Sequence, residues 1–246
     1  LKQRSMIKES LVFLERAIRI EHHAREHLPL ALAEEVFAEL LLERSICEHI
    51  LGNQNQAQHY AQQADELASQ QSNHALLSKI ATEKAKQARE LYMLAESDLQ
   101  IQRAYRHAVE SGYAKLKIIP LYEQGALYWE RGDTEKAASF FEQALNVSDE
   151  IHDPVGRAVV NNGLGVLSMC VGESVKARRY FEESIRASLL VQRIDTLVNA
   201  RTNLAELLHC MGNFRKALGL VNDTIKYTRD IRHQHGLGVA LRYRSM

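Results

Sequence analysis

Proline is scarce in this chain, and extended runs of alternating apolar and polar residues are missing. With 3 prolines in 246 residues, helices can continue with few interruptions. A half-buried strand would place apolar residues at every second position, and no extended stretch does so. No apolar run reaches the length of a bilayer span, and no signal peptide is recognised. We therefore expect an all-α chain with no membrane segment.

Cysteine is rare, and charge of either sign is not in excess. The 3 cysteines, Cys47, Cys170 and Cys210, are odd in number and widely spaced. This pattern argues against a disulfide framework and predicts a reducing, cytoplasmic location. Cys170 and Cys210 are expected to pack as small apolar side chains. The net charge is +0, from 31 basic and 31 acidic residues, which argues against direct nucleic-acid binding and against an anionic membrane partner.

Motifs for catalysis and cofactor binding are also missing. The chain has no GxxxxGK[ST] phosphate loop and no nucleophile elbow, and Gly236-Leu-Gly238 is too short for a dinucleotide loop. His23 and His27, next to His22, could share a metal ion, but no third ligand lies nearby in the sequence. A solvated polar helix end is the alternative. We predict no catalytic residues, no cofactor and no metal site.

The most regular stretch of the chain is Leu121–Ser148, LYEQGALYWERGDTEKAASFFEQALNVS. It predicts two helices, broken by Gly132-Asp133. Small residues let the two helices approach closely, and two aromatic residues fill the space between them. These positions are Gly125, Tyr128, Ala137, Phe141 and Ala144.

This stretch recurs every 40 residues. The turn glycine recurs at Gly52, Gly172 and Gly212, whereas Tyr92 stands in its place in one unit. Three columns of close-packing positions hold only small residues, with Thr224 at the upper limit of size. The columns are Ser45, Ala85, Gly125, Gly165 and Ala205; Ala57, Ser97, Ala137, Ala177 and Ala217; and Ala64, Ala104, Ala144, Ser184 and Thr224.

The repeat predicts an all-α fold: a right-handed superhelical solenoid of antiparallel helix pairs with about five to six repeats. We predict a single domain, 1–246. Its repeats are expected at 1–28, 29–73, 74–113, 114–153, 154–193 and 194–233, with the start of another at 234–246. Because neither end has a polar capping helix, we expect a segment of a longer protein, and self-association is a further expectation.

Helix starts are marked by short polar residues. Asp133 is the predicted N-cap of the second helix in its unit, and Asp153 precedes proline at the next helix start. Ser72 or Asn73 is the expected cap after the loop near residue 71. The unit at 75–112 is the least regular, so its turn is expected either to be shifted or to be replaced by continuing helix.

The repeat resembles the tetratricopeptide repeat family, whose usual unit is about 34 residues. The longer period and the segment GDTEKAASFFEQALNVSDEIHDPVGRA resemble MalT-like transcriptional activators, related nucleotide-switching regulators and repeat-bearing diguanylate cyclases. The resemblance implies a protein- or peptide-binding scaffold or sensor segment of a larger bacterial regulator. It also implies an alternative, a small-molecule inducer bound in the groove as in MalT-like proteins.

The resemblance further implies that the first helix of each pair lines a concave groove. In the segments VVNNGLG and ARTNLAE, asparagines are placed as in peptide-binding relatives such as kinesin light chains and quorum-sensing receptors. A side-chain amide can donate to and accept from a peptide backbone. Hydrogen bonding between helices, or plain exposure, is the alternative. The groove positions are Lys86, Arg89, Tyr122, Trp129, Asn162, Asn199, Asn203, Glu206 and His209.

Two subsets of these positions suggest different ligands. Tyr122 and Trp129 would suit stacking on a sugar, although packing of Trp129 against the next repeat is an alternative. The first helix of the 75–112 unit carries a basic set, which is either a solvated face or a groove for an acidic partner. That set is Lys79, Lys84, Lys86 and Arg89.

Overall fold

The computed structural model describes residues 7, 10–12, 14–16 and 30–244, and within these residues all regular structure is helical. The chain forms two compact units: one ends at Leu127, and the other begins at Tyr128. His22, His23 and His27, with most of the predicted first repeat, lie outside the described residues. None of the described helices is long and apolar enough to cross a membrane.

Antiparallel helix pairs follow one another along the chain, as predicted for an all-α repeat fold. From residue 30 onward, the helices are α1 (Leu30–Leu51), α2 (Gln54–Gln70), α3 (His74–Glu90), α4 (Leu94–Glu110), α5 (Ile118–Glu130), α6 (Thr134–Glu150), α7 (Pro154–Cys170), α8 (Ser174–Leu190), α9 (Ile194–Cys210), α10 (Phe214–Asp230) and α11 (Gln234–Arg244). A 3₁₀ helix, Ala114–Lys117, precedes α5. Pro120 explains why a 3₁₀ helix precedes α5. Proline has no N–H, so it cannot donate the regular α-helical hydrogen bond to the carbonyl of residue 116.

The 40-residue period consists of two half-periods with the same geometry. Helices of 17 residues alternate with turns of three, as from α2 to α4. One residue in each turn has a positive φ, and these residues are spaced 20 apart. They are Gly52, Ser72, Tyr92, Gly112, Gly132, His152, Gly172, Gln192, Gly212 and Arg232. The period exceeds about 34 residues because its helices are longer.

The turn of the 75–112 unit lies at the position expected from the other units. Tyr92 takes a φ of +58°, although that conformation costs an L-residue free energy. Its N–H donates to the Arg89 carbonyl at 2.9 Å, and the Met93 N–H donates to Ala88 at 2.9 Å. Gly132 and Asp133 make the same two bonds to Trp129 and Tyr128. The backbone therefore turns in the same way without glycine.

Three predicted N-caps are present. Asp133 accepts a hydrogen bond from the Lys136 N–H at 3.1 Å, and Asp153 accepts one from Gly156 at 3.0 Å. Asn73, rather than Ser72, caps α3 by accepting from Leu76 at 3.0 Å. Each cap satisfies a backbone donor that the first helical turn leaves unpaired.

All fifteen residues of the three small-residue columns are buried. Where a serine occupies such a position, its hydroxyl bridges the two helices. Ser45 donates to the Ala57 carbonyl at 2.8 Å, and Ser97 donates to Ala85 at 3.0 Å. The small residues in these columns therefore allow the two backbones to approach closely. A serine in a column adds a hydrogen bond while its side chain stays small.

Gly165 shows how close this approach is in the second unit. A Cβ atom at this position would lie 2.5 Å from the ring of Phe181, which is fully buried. The ring therefore occupies the space that any larger residue at 165 would need. The prediction that a small residue on the first helix leaves space for an aromatic residue on the second is confirmed here.

An ion cluster joins two helix pairs of the first unit. The Asp65 carboxylate on α2 accepts two hydrogen bonds from Arg103 on α4, at 2.7 and 2.8 Å. Lys84 on α3 donates to the same carboxylate at 2.7 Å. Burial alone would raise the pKa of Asp65, but the two cations lower it below its usual value. Lys84 is thus part of the packing between repeats and not of a solvated face.

Candidate functional site

The first helices of the first unit border a cleft of about 590 Å³. Its lining comes from α1, α3, the 3₁₀ helix with the preceding Tyr113, and the start of α5. Helix α3 contributes Ala75 to the apolar lining, and the larger apolar side chains come from α1, from residues 113–116 and from the start of α5. They are Leu42, Ile46, Tyr113, Leu116, Ile119 and Pro120. The cleft therefore has an apolar lining built from residues of different repeats.

Three lysines and two glutamates accompany this apolar lining. The lysines are Lys79, Lys86 and Lys115, and the glutamates are Glu43 and Glu83. Lys79 is half-exposed, and its ammonium group lies 3.7 Å from Glu39. Such a pair in water contributes little free energy, so the lysine remains available to another carboxylate. The sequence-predicted basic set is split: Lys79 and Lys86 line the cleft, whereas Lys84 binds Asp65.

One of the glutamates, Glu83, is buried and paired. Its carboxylate lies 2.8 Å from Nδ1 of His49, whose Nε2 lies 2.9 Å from Glu90. The hydrogen bond with Glu83 raises the pKa of His49 above its usual value. Burial alone would raise the pKa of Glu83, but the His49 hydrogen bond and the Lys86 charge lower it. With Glu83 paired to His49, the other charged side chains of the lining are three lysines and Glu43.

Arg89 and Tyr122, two predicted groove residues, are held in a neighbouring buried cluster. Arg89 lies 3.2 Å from the carboxylate of Glu123, which is 5% exposed. Burial raises the pKa of Glu123, although Lys86 and Arg89 lower it in part. Burial also raises the pKa of Tyr122 to about 12, with a further contribution from the Glu123 charge. Neither of these two residues belongs to the lining of the cleft.

The asparagines of the second unit differ from one another in surroundings. Asn203 on α9 donates a hydrogen bond to the side chain of Asn162 on α7 at 3.1 Å, so this pair joins two first helices. Asn199 is exposed. Asn161, adjacent to Asn162, is buried and donates to the Arg157 carbonyl at 2.8 Å. The side-chain amides of Asn162 and Asn203 are thus partners of each other, and each keeps capacity for a second hydrogen bond.

A smaller cleft of about 360 Å³ in the second unit brings together two more predicted residues, Glu206 and His209. His209 packs edge-on against Phe214, with the ring centroids 4.9 Å apart. Tyr243 lies beside Glu206, and its pKa is raised by burial and then by the Glu206 charge. Leu218 and Phe214 belong to the lining and are more than half exposed.

Several residues that line the two clefts were not among the predicted groove residues, because they do not lie on the first helix of a pair. Phe214 and Leu218 belong to a second helix, and Leu116 belongs to the 3₁₀ helix. An exposed aromatic residue at a helix start was the one signal that could have indicated Phe214.

Trp129 is 39% exposed, so part of its indole is accessible.

The prediction that Cys170 and Cys210 pack as small apolar side chains is wrong. Both are exposed thiols. Each is the last residue of its helix, beside a three-residue turn, and at that position the side chain faces solvent rather than the neighbouring helix. The small-residue columns lie further inside the helices.

Comparison with known proteins supports the repeat assignment. A tetratricopeptide repeat family model matches residues 121–153, the stretch with the most regular pattern. No curated protein sequence matches the chain significantly.

Solved structures with the same fold are found at low identity. BtubC from P. vanneervenii superposes with a TM-score of 0.69 at 15% identity, covering 92% of each chain. A signal transduction ATPase with a tetratricopeptide repeat sensor, from Pyrococcus horikoshii, gives a TM-score of 0.69 at 16% identity, covering 97% of this chain and 36% of that one. NprR in complex with its cognate peptide NprX gives a TM-score of 0.67 at 15% identity, covering 99% and 74%.

Proposed function

We propose that this tetratricopeptide repeat protein is a non-catalytic scaffold that binds a protein or peptide partner in the cleft of its first unit. The observation that carries the proposal is the combination of an apolar lining with three lysines. An extended segment with apolar anchors and nearby Asp or Glu residues matches this lining in shape and charge. Apolar burial would supply most of the affinity, and the lysines would select the charge of the partner.

The similar structures support a sensor role within this proposal. NprR was solved with its cognate peptide, and the ATPase from Pyrococcus horikoshii carries its repeats as a sensor. We propose that this chain likewise acts as the sensor or interaction segment of a larger cytoplasmic signalling regulator of bacterial type. In the second unit, exposed Asn199 and the cleft with Glu206 and His209 would form a separate contact surface.

Selection from a random peptide library against the full chain tests the proposal. We expect the enriched peptides to combine acidic and large apolar residues, and their binding to weaken with added salt. The double variant Lys79→Gln and Lys86→Gln should reduce affinity for a selected peptide by about 5–30-fold, since each charge contributes about 0.5–1 kcal/mol. Calorimetric titration measures this change.

The matched control is Lys216→Gln with Lys226→Gln, which removes two exposed lysines from α10. Its affinity for the peptide should equal that of the unmodified chain. Two results would contradict selection of the partner's charge by the lysines of the cleft. One is enrichment of peptides without acidic residues, and the other is an equal loss of peptide affinity in both double variants.

A small-molecule inducer is the second candidate, because a volume of about 590 Å³ also lies in the range of small-ligand sites. A sugar would stack on an aromatic residue, and the exposed Tyr113 belongs to the lining of this cleft. Calorimetric titration with a panel of mono- and oligosaccharides should then show saturable binding. A flat response throughout the panel would remove the sugar hypothesis.

A further inference from the structure

Three potential metal ligands meet at one end of the α3–α4 helix pair, away from the predicted groove residues. Nδ1 of His74 lies 3.1 Å from Nδ1 of His107. One carboxylate oxygen of Glu110 lies 3.0 Å from the first nitrogen and 2.9 Å from the second. The three ligand atoms thus form a nearly equilateral triangle.

The fold brings these residues together. His74 is the first residue of α3, and His107 and Glu110 lie in the last turn of α4. Because the two helices are antiparallel, the start of one lies beside the end of the other. The Asn73 cap on Leu76 fixes the first backbone, and the bond from Ser111 to the Ala108 carbonyl at 2.8 Å fixes the second.

We propose that His74, His107 and Glu110 bind a divalent transition-metal ion, with Zn²⁺ as the best match. Zn²⁺ binds imidazole nitrogen and carboxylate oxygen at about 2.0–2.1 Å in tetrahedral geometry. The corners of the observed triangle lie about 1.7 Å from its centre, so a point at bonding distance from all three atoms exists on either side of its plane. Tetrahedral ligands would be about 3.3 Å apart, which requires each atom to move by a few tenths of an ångström.

The side chains can make that adjustment. His107 is 15% exposed and is the most fixed of the three, whereas His74 and Glu110 are 37% and 42% exposed. The exposed side of the triangle leaves a coordination position for water and a route for the ion. Two nitrogen ligands with one oxygen favour Zn²⁺ or Co²⁺ over Mg²⁺ and Ca²⁺, which prefer oxygen ligands.

Hydrogen bonding alone is the competing explanation of the triangle. Two neutral imidazoles and a carboxylate can share protons at these distances. In that arrangement the Glu110 oxygen accepts from both Nδ1–H groups, whereas in the metal site all three atoms bind one ion, and the titration below distinguishes the two. Metal binding would also hold the start of α3 against the end of α4. Helix α3 contributes Ala75 and Lys79 to the lining of the cleft.

Titration of the full chain with Zn²⁺, followed by Co²⁺ spectroscopy, tests the site. We expect one saturable Zn²⁺ equivalent at this cluster, a rise in Tm with Zn²⁺, and the visible absorption of four- or five-coordinate Co²⁺. His74→Ala and His107→Ala should each weaken binding by more than about 100-fold, because loss of even a second-shell partner costs about 10–100-fold. Circular dichroism without metal verifies that the variants fold.

Two control variants separate this cluster from other histidines. His59→Ala removes an exposed histidine of α2, and the double variant His23→Ala with His27→Ala removes the pair noted in the sequence. Both should keep the Zn²⁺ equivalent. The proposal is overturned if Zn²⁺ binding is not saturable, if it persists in His107→Ala, or if the His23/His27 variant loses it. Any of these results would leave the triangle as a hydrogen-bonded cluster.

Discussion

At single positions in this fold, the space between paired helices decides which side chain fits. Gly165→Ala should destabilise the chain by about 1–3 kcal/mol, because the added methyl group would lie 2.5 Å from the buried Phe181 ring. The ring is fully buried and has little room to move. Urea unfolding followed by circular dichroism measures the change.

Gly219→Ala is the matched control for this substitution. Gly219 lies within α10, is exposed, and has no atom near the position of an added Cβ. Alanine there should stabilise the chain by about 0.5–1 kcal/mol, since glycine is the poorer helix former. If both variants shifted the midpoint in the same direction, close packing at residue 165 would not be the cause.

At the scale of helices and turns, the constraint is the positive φ that recurs every 20 residues. Among the described turns within helix pairs, Tyr92 is the one positive-φ residue that is not glycine, and its side chain is 87% exposed. Tyr92→Gly should therefore stabilise the chain by about 0.5–1 kcal/mol by removing the strain of this conformation. Thermal unfolding measures the gain.

The same substitution in the neighbouring helix provides the control for Tyr92→Gly. Tyr105 lies within α4, where glycine should cost about 1 kcal/mol because it leaves more backbone entropy to be lost on folding. Opposite signs for the two variants are the expected result. A loss of stability in Tyr92→Gly would mean that contacts of the tyrosine outweigh its backbone strain.

For the molecule as a whole, we expect stability to depend on pH through the buried ionisable groups of the first unit. The raised pKa of His49 stabilises the fold below about pH 6.5, and this contribution is lost as pH rises through the folded pKa. The lowered pKa of Glu83 stabilises the fold above about pH 4.5, and this contribution is lost as pH falls. Both contributions are present together between these values.

His49→Gln tests this window, because glutamine can hydrogen-bond to Glu83 without a charge. We expect a loss of about 1–2 kcal/mol near pH 5.5 and a clearly smaller loss near pH 8.5. Unfolding by urea at the two pH values measures both. The exposed His59→Gln should show no such dependence, and a loss for His49→Gln that is equal at both pH values would contradict the ionic origin.

The sequence by itself determined the helical repeat of this protein. Small residues every 40 positions, glycine at the turns and aspartate at the helix starts act within a few residues or within one helix pair. Fold class and the caps at Asp133 and Asp153 could therefore be predicted. The positive φ of Tyr92 could not, because this conformation is unfavourable for a residue with a Cβ atom.

Only the tertiary structure decided which side chains meet between helices. The pairing of Asn203 with Asn162, the burial of Glu83 against His49, and the meeting of His74 with His107 join residues 33 to 41 positions apart. Such contacts depend on the rotation and offset of neighbouring helices, and a repeat pattern constrains these only approximately. The site was predicted as a set of helix faces, and packing selected which residues line a cleft and which do not.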